Sequence, residues 1–409
     1  MSSESIELAK HILLVFGIIL AAGTAGAALA QRLGLPDVVV FLIIGTLLGP
    51  AASGAIHVGV NSTLNQLILI FGSCYILFDG GTALRFKVLK QIWITVTALA
   101  TVGVLITAAI TSIAAYYLLG VPFVIALLLA STIAATDPAT MVPVFRHVHI
   151  RERVAQAVMS ESAVNDATGA ILTLAVLAVA KGQGAISLSG ILITLFSQAL
   201  FGLMVGGILG YLVALLIGHK RVGVLQEYAP LVSLMAVIGA YLSADGVQAS
   251  GFMAVFAFGV MVGNKESWGL AMPERKQQSL NYFIVTTSLI MRMFIFILLG
   301  SQVDFALMGQ HLGSGVAVVA VFMLVARPAT VLLCAWPDRR ARWTWQELLF
   351  MCWTRETGVI PGALAGLLLG MGAPGGSLIA SVTFMAILMT ILLQATTTRW
   401  LAGRLGLLV

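Results

Sequence analysis

Met159-Ser160-Glu161-Ser162-Ala163-Val164-Asn165-Asp166-Ala167-Thr168-Gly169 sets two carboxylates, one amide and three hydroxyls in the middle of an apolar run over about 152–180. An ionised side chain at the centre of a bilayer costs about 3 kcal/mol on insertion scales, so such a run is stable as a membrane helix only where a bundle compensates its charges. The rest of the chain supplies that bundle. Of 409 residues, 60% are hydrophobic and 9% charged, against roughly a quarter charged in soluble domains, which excludes a soluble globular protein. On a helix turning about 100° per residue, Ser162 and Asp166 share one face about 6 Å apart along the axis, and Glu161 and Asn165 share the adjacent one.

Outward from this stretch, apolar runs bounded by Gly, Pro or charge fall at about 8–29, 36–50, 63–79, 91–118, 122–145, 152–180, 185–217, 223–243, 249–263, 279–300, 309–335, 344–372 and 376–402. Thirteen runs, at about 20 apolar residues per crossing, predict an all-α polytopic membrane protein of about 13 transmembrane helices. Odd-numbered loops and the C-terminus hold Arg32; Arg85, Lys87 and Lys90; Arg146, Arg151 and Arg153; Lys220 and Arg221; Lys265, Arg275 and Lys276; Arg339, Arg340 and Arg342; and Arg399 and Arg404. Even loops hold Lys181 alone. The positive-inside rule then places the odd loops and C-terminus in the cytoplasm and the N-terminus outside, in what is expected to be a bacterial inner membrane. That topology accounts for the net charge of +6 without a nucleic-acid partner. Glu4 and Glu7 precede the first run without a basic n-region or an evident cleavage site, so the run reads as a retained membrane helix. Cys74, Cys334 and Cys352 have neither paired nor metal-binding spacing and read as packing residues.

Segments two and nine are both about 15 residues long and each carries a Gly-x-x-x-Gly pair, Gly45 with Gly49 and Gly259 with Gly263. They lie seven segments apart, an odd offset that reverses orientation, so helices 1–6 repeated as 8–13 would form an inverted repeat. One transporter domain over 1–409 follows, with repeat one at about 8–180, a connector at 185–217 and repeat two at 223–402. Segments five and twelve then correspond. Each is interrupted by helix breakers next to charge, Asp137-Pro138 within Ala134–Thr140 and Gly358 and Pro361 after Thr354-Arg355-Glu356-Thr357. Two such broken crossing helices point to an ion site near the midplane.

Asp137, Glu161, Asp166, Arg292, Arg327, Arg355 and Glu356 fall within apolar runs. Ion pairing accounts for some, but four acids against three bases leave one carboxylate that must hold a proton or a cation. Asp166, Ser162, Asp137 and carbonyls freed at Pro138 offer an all-oxygen shell for a hard monovalent cation, with no soft ligand for a transition metal. Asp137 serves equally as N-cap of a half-helix starting at Pro138, and the two roles are compatible. Arg292 and Arg355 read as structural, snorkelling or meeting carbonyls. Glu356 is a poor partner for adjacent Arg355 unless the helix is broken there. His147 and His149, in a basic loop, read as membrane anchors rather than pH sensors. No G-x-x-x-x-G-K-[ST] loop is present, so an ion gradient rather than ATP is expected to supply the work.

Thr136-Asp137-Pro138, followed about 25 residues later by Ser160-Glu161-Ser162 and Asn165-Asp166, resembles the monovalent cation:proton antiporter superfamily. The Asn-Asp pair is that of its electroneutral NhaP-like branch, which includes the animal sodium/proton exchangers. The resemblance spans the chain, with Phe78-Asp79-Gly80-Gly81 ending segment three and Phe294 to Gly300 ending segment ten. It implies that Asp166 binds the transported cation or proton. It also implies that Glu161 pairs with Arg327 of Val325-Ala326-Arg327-Pro328, and that Thr136, Asp137 and Ser162 occupy further ion-site positions beside Asn165.

With Asn165 where electrogenic relatives carry a second Asp, the implied activity is electroneutral one-for-one antiport of Na+, K+ or Li+ against H+. It would run by alternating access, with proton and cation competing at Asp166 and with no cofactor. Where the family often has Trp-x-Gly-x-Arg-Gly, this chain reads Trp353-Thr354-Arg355-Glu356-Thr357-Gly358. Cation selectivity therefore does not carry over, and Arg292, Arg355 and Glu356 become candidate modulators. The resemblance further implies a homodimer, for which segments one and eight are candidate interface helices. The first carries the small residues Gly17, Ala21, Ala22, Gly23 and Gly26. The rival readings are a cation-coupled symporter of a small organic acid, a channel, and an intramembrane aspartyl protease using Asp137 and Asp166.

Overall fold

The structure, a computed structural model, describes residues 2–33, 35–136, 150–182, 188–219 and 223–408. Asp137, Pro138, Arg146, His147, His149, Lys220 and Arg221, on which parts of the sequence reading rest, lie outside the described residues. Among the described residues, nine helices are long and apolar enough to cross a membrane. Four more are apolar but shorter, Asp37–Leu48, Phe123–Ile133, Gly251–Gly263 and Val359–Gly370. Each apolar run of the sequence falls on one of these helices, and no β-strand accompanies them among the described residues. The short ones belong to segments two, five, nine and twelve, the two pairs singled out by the glycines and the helix breakers.

Hydroxyl caps begin several helices. Ser62 accepts from the Asn65 N–H at the start of Thr63–Ala83, and Ser250 accepts from the Met253 N–H at the start of Gly251–Gly263. Each satisfies a donor that no intrahelical partner can reach. Segment four bends at Thr101, whose hydroxyl donates to the Thr97 carbonyl at 2.6 Å.

Contacts between loops sort by parity. Arg85 of loop three donates to the Gly263 carbonyl beside loop nine at 3.1 Å. Arg153, after loop five, reaches Glu347, after loop eleven, at 2.6 Å. Ile150 of loop five bridges to Leu408 near the C-terminus. On the other face, Lys181 of loop six donates to the Met371 carbonyl of loop twelve at 3.3 Å. Odd loops meet odd loops and the C-terminus, and even loops meet even loops, as an unbroken alternation of crossings requires.

Segments seven and nine meet backbone to backbone at Gly206 and Ala254, and two further pairs of helices do so in matched fashion. A Cβ at Gly45 would collide with the Ile297 carbonyl, and one at Gly300 with the Leu42 carbonyl. In the second pair, a Cβ at Gly259 would stand 2.5 Å from the Phe78 carbonyl oxygen, and one at Gly81 2.6 Å from that of Phe256. Gly49 against Ser301 is matched by Gly263 against Thr82. Each contact between segments two and ten thus has a counterpart between segments nine and three, at an approach that only glycine permits.

Segment eleven, expected as one continuous helix, contains a π turn at Phe322–Ala326 immediately before Arg327 and Pro328. Proline lacks the N–H an α-helix would use there, and the wider turn absorbs the break. A second π turn, Ile391–Ala395, interrupts segment thirteen.

One apolar core centres on segments two, three, nine and ten, and another on four, five, six, eleven and thirteen. Segment twelve contributes to both, through Val359 and Ile360 to the first and Leu368 to the second. The most hydrophobic stretch of segment one is only 22% buried and that of segment eight 28%, against 72% for segment thirteen, so the first two helices face outward. Gly23 and Gly26, small residues suited equally to a dimer interface and to packing within one protomer, admit Met293 and Ile44 of the same chain. Gly17 faces open space.

Candidate functional site

The site is built where segment six (Glu152–Ala180) passes the interruptions of segments five and twelve. Glu161 is 2% exposed and Arg327 1% exposed. They form a two-pronged pair, Nη1 to Oε1 at 2.5 Å and Nη2 to Oε2 at 2.9 Å. The same guanidinium donates from Nε to the Met351 carbonyl at 2.8 Å and from Nη2 to the Thr354 carbonyl at 3.4 Å. Those carbonyls end the first half of segment twelve, Trp345–Trp353. The last carbonyls of a helix lack internal donors and carry the negative end of its dipole, so a cation there satisfies both demands.

Arg355 does the same for segment five. It lies in the non-helical link between Trp353 and Val359 and donates from Nη2 to the carbonyl of Ala134, which ends the half-helix Phe123–Ile133. Nη1 donates to the Thr107 hydroxyl at 3.1 Å, and the guanidinium carbon stands 4.9 Å from the centre of the Phe322 ring. Because the link is not helical, Arg355 and adjacent Glu356 are free of the helical spacing assumed from sequence. Glu356 is 1% exposed, and the neighbouring Thr357 N–H donates to the Thr390 hydroxyl at 3.0 Å. Each interrupted helix therefore has its carbonyl end held by an arginine.

Thr136, the last described residue before Asp137, is tied to segment six. Its hydroxyl lies 2.8 Å from that of Ser162, its N–H donates to Asn165 Oδ1 at 3.1 Å, and Asn165 Nδ2 donates back to its hydroxyl at 2.8 Å. Asp166, 3% exposed, follows Ser162 by one helical turn. The structure thus brings Thr136, Ser162 and Asn165 together beside buried Asp166. It separates Glu161, which faces Arg327.

The tally of four acids against three bases needs correction. Arg292 stands 3.9 Å from Asp37, the first residue of the helix of segment two, a carboxylate the tally omitted because it stands at the very start of its run. Sequence reasoning also missed Thr107, Thr390 and Phe322. Thr107 and Thr111 recur one turn apart on a buried face of an apolar helix, a signal that could have shown the first. Phe322 carries no such signal, since an aromatic ring in an apolar run is ordinary packing.

A family model described as sodium/hydrogen exchanger, transmembrane, matches residues 17–404. The chain belongs to that family. The chain is thus an integral membrane transporter. It is similar to the K(+)/H(+) antiporter NhaP of Alkalimonas amylolytica, 29% identical over 97% of this chain and 67% of that protein. It is also similar to Na(+)/H(+) antiporter 1 of Methanocaldococcus jannaschii, 29% identical over 95% of this chain and 94% of that one. Its fold matches the solved structure of the sodium proton antiporter MjNhaP1 from M. jannaschii at pH 8, with a TM-score of 0.82, 27% identity and coverage of 95% of this chain and 100% of that one. The exchanger spans about two thirds of the length of the K(+)/H(+) relatives.

Proposed function

We propose that this exchanger is an antiporter of a monovalent cation against a proton, with the two competing at Asp166. The observation that carries the reading is the division of labour on segment six: Glu161 is held by Arg327, while Asp166 lies buried beside the oxygen-rich cluster of Thr136, Ser162 and Asn165. A buried carboxylate is stable when it holds a proton or a cation, and costly when bare. Loaded states of the site are close to neutral and can cross the barrier, whereas the bare state cannot, which couples the two fluxes. One carboxylate exchanging one proton for one cation makes the cycle electroneutral. Asp137 is assigned to the same shell as a ligand or helix cap.

The matched glycine contacts support an inverted repeat, with segments two, three, nine and ten as a rigid frame and the interrupted helices in the part that moves. The basic loops and the C-terminus are placed in the cytoplasm of a bacterial cell, with the N-terminus outside. A homodimer through the outward faces of segments one and eight fits their low burial. Single cysteines at Leu13 or Met235, in a background lacking the native ones, should then cross-link in native membranes, and a monomer mass without cross-links would reject the dimer.

The relatives include both sodium and potassium carriers, so the deciding experiment is dequenching of a pH-gradient dye in proteoliposomes with Na+, K+ and Li+ offered in turn. Recovery with at least one cation, and no organic solute, is expected. No recovery with any cation, but recovery on adding a small organic acid, would establish a symporter instead.

A further inference from the structure

A cavity of about 950 Å³ opens on the face that carries the basic loops, between loop three, the end of segment nine and the start of segment ten. None of the described ion-site residues lines it. Among the described residues, its walls hold four cations, Arg85, Lys87, Lys90 and Lys265, against one carboxylate, Glu266. Arg85, Lys87, Lys90 and Glu266 are exposed, but Lys265 is 2% exposed and its ammonium donates to the neutral amide oxygen of Gln277. Burial lowers the Lys265 pKa, Glu266 opposing and Arg85 adding to the effect.

The wall is firmly built. Asn264 accepts from the Phe86 N–H at 3.0 Å and donates to the Leu84 carbonyl at 2.8 Å, while Arg85 donates to the Gly263 carbonyl. Loop three and the end of segment nine are thereby stitched together around the buried ammonium. The cavity lies where segments three and nine end, at Ala83 and Gly263, and the ends of membrane spans meet the headgroup region.

We propose that this cavity binds a phosphate-bearing anion. Converging lysines and an arginine suit phosphate oxygens, a cavity of this size holds a headgroup or a small phosphorylated solute, and basic pockets between membrane helices are the usual seat of anionic headgroups. The inference stands whichever cation the exchanger carries.

The test uses the purified full chain in mild detergent, with its thermal midpoint followed on adding dioleoylphosphatidylglycerol, dioleoylphosphatidylcholine or pyrophosphate. The anionic lipid is expected to raise the midpoint by about 5 °C near saturation, and phosphatidylcholine to leave it unchanged. Replacing exposed Lys87 and Lys90 together by Ser, or Lys265→Gln alone, should remove at least half of that shift. Removing the same charge elsewhere, as Arg339→Ser with Arg340→Ser, should preserve it. A rise with the lipid alone identifies a headgroup site, and a rise with pyrophosphate as well identifies a site open to soluble phosphates. No rise with either anion, or equal loss in the Lys87/Lys90 and Arg339/Arg340 variants, would overturn the proposal. Should Lys265→Gln fail to fold, the exposed pair decides.

Discussion

Arg355 reaches from the break in segment twelve to the carbonyl of Ala134, which ends the first half of segment five. The two interruptions are therefore one structure, joined by a guanidinium. Replacing Arg355 with Gln leaves the Ala134 carbonyl and Thr107 hydroxyl without a charged donor. That should cost about 1.5–3 kcal/mol per bond in thermal or denaturant stability, with Arg355→Lys retaining part of it. Equal stability of Arg355→Gln and wild type in detergent would show that the contact is idle.

Asp166→Asn preserves shape and removes the charge. Exchange in proteoliposomes should fall to the protein-free background for every cation, while the thermal midpoint is retained. Persistent cation-driven proton flux in the purified variant would move the site elsewhere.

Glu161 and Arg327 are expected to behave as a unit. Neutralising either should cost about 3–5 kcal/mol, because the other charge is then buried without its partner, and neutralising both should cost less than the sum. A double-mutant cycle on stability checks this, and strictly additive losses would contradict the pairing.

Electroneutral exchange predicts a rate indifferent to membrane potential. Net movement of one charge would couple to about 2.3 kcal/mol per 100 mV. The measurement is cation-driven proton flux at fixed pH under a potential set by an ionophore that does not carry the cation under test. A steep response would require a second charge in the cycle.

The glycine contacts predict matched damage. Gly45→Val and Gly259→Val should each cost about 1–3 kcal/mol or more, since the added atoms meet backbone that cannot step aside. Gly17→Val, with nothing within 4 Å, should stay within about 0.5 kcal/mol of wild type. Thermal midpoints of the three purified variants decide the point.

Much of this was legible in the sequence because lipid imposes strict rules. Apolar length located the crossings, basic loops marked their alternation, and glycine spacing in segments two and nine marked two close approaches. The partners of buried charge were harder. Glu161 and Arg327 are far apart in the chain, and only family resemblance joined them. The contact of Arg355 with Ala134 depends on how two interrupted helices cross, which no local pattern encodes. Gly23 and Gly26 show the converse problem: small residues announce a close neighbour without saying whether it belongs to the same chain.

The π turn at Phe322–Ala326 sets the heading of Arg327. Such a turn holds one more residue than its α counterpart, and one residue is worth about 100° of rotation. Losing a single codon there would remove the extra residue and turn the preceding half of segment eleven relative to the arginine, so that both could not keep their present neighbours. A point substitution decides what stands at position 327. A one-codon insertion or deletion decides where it points.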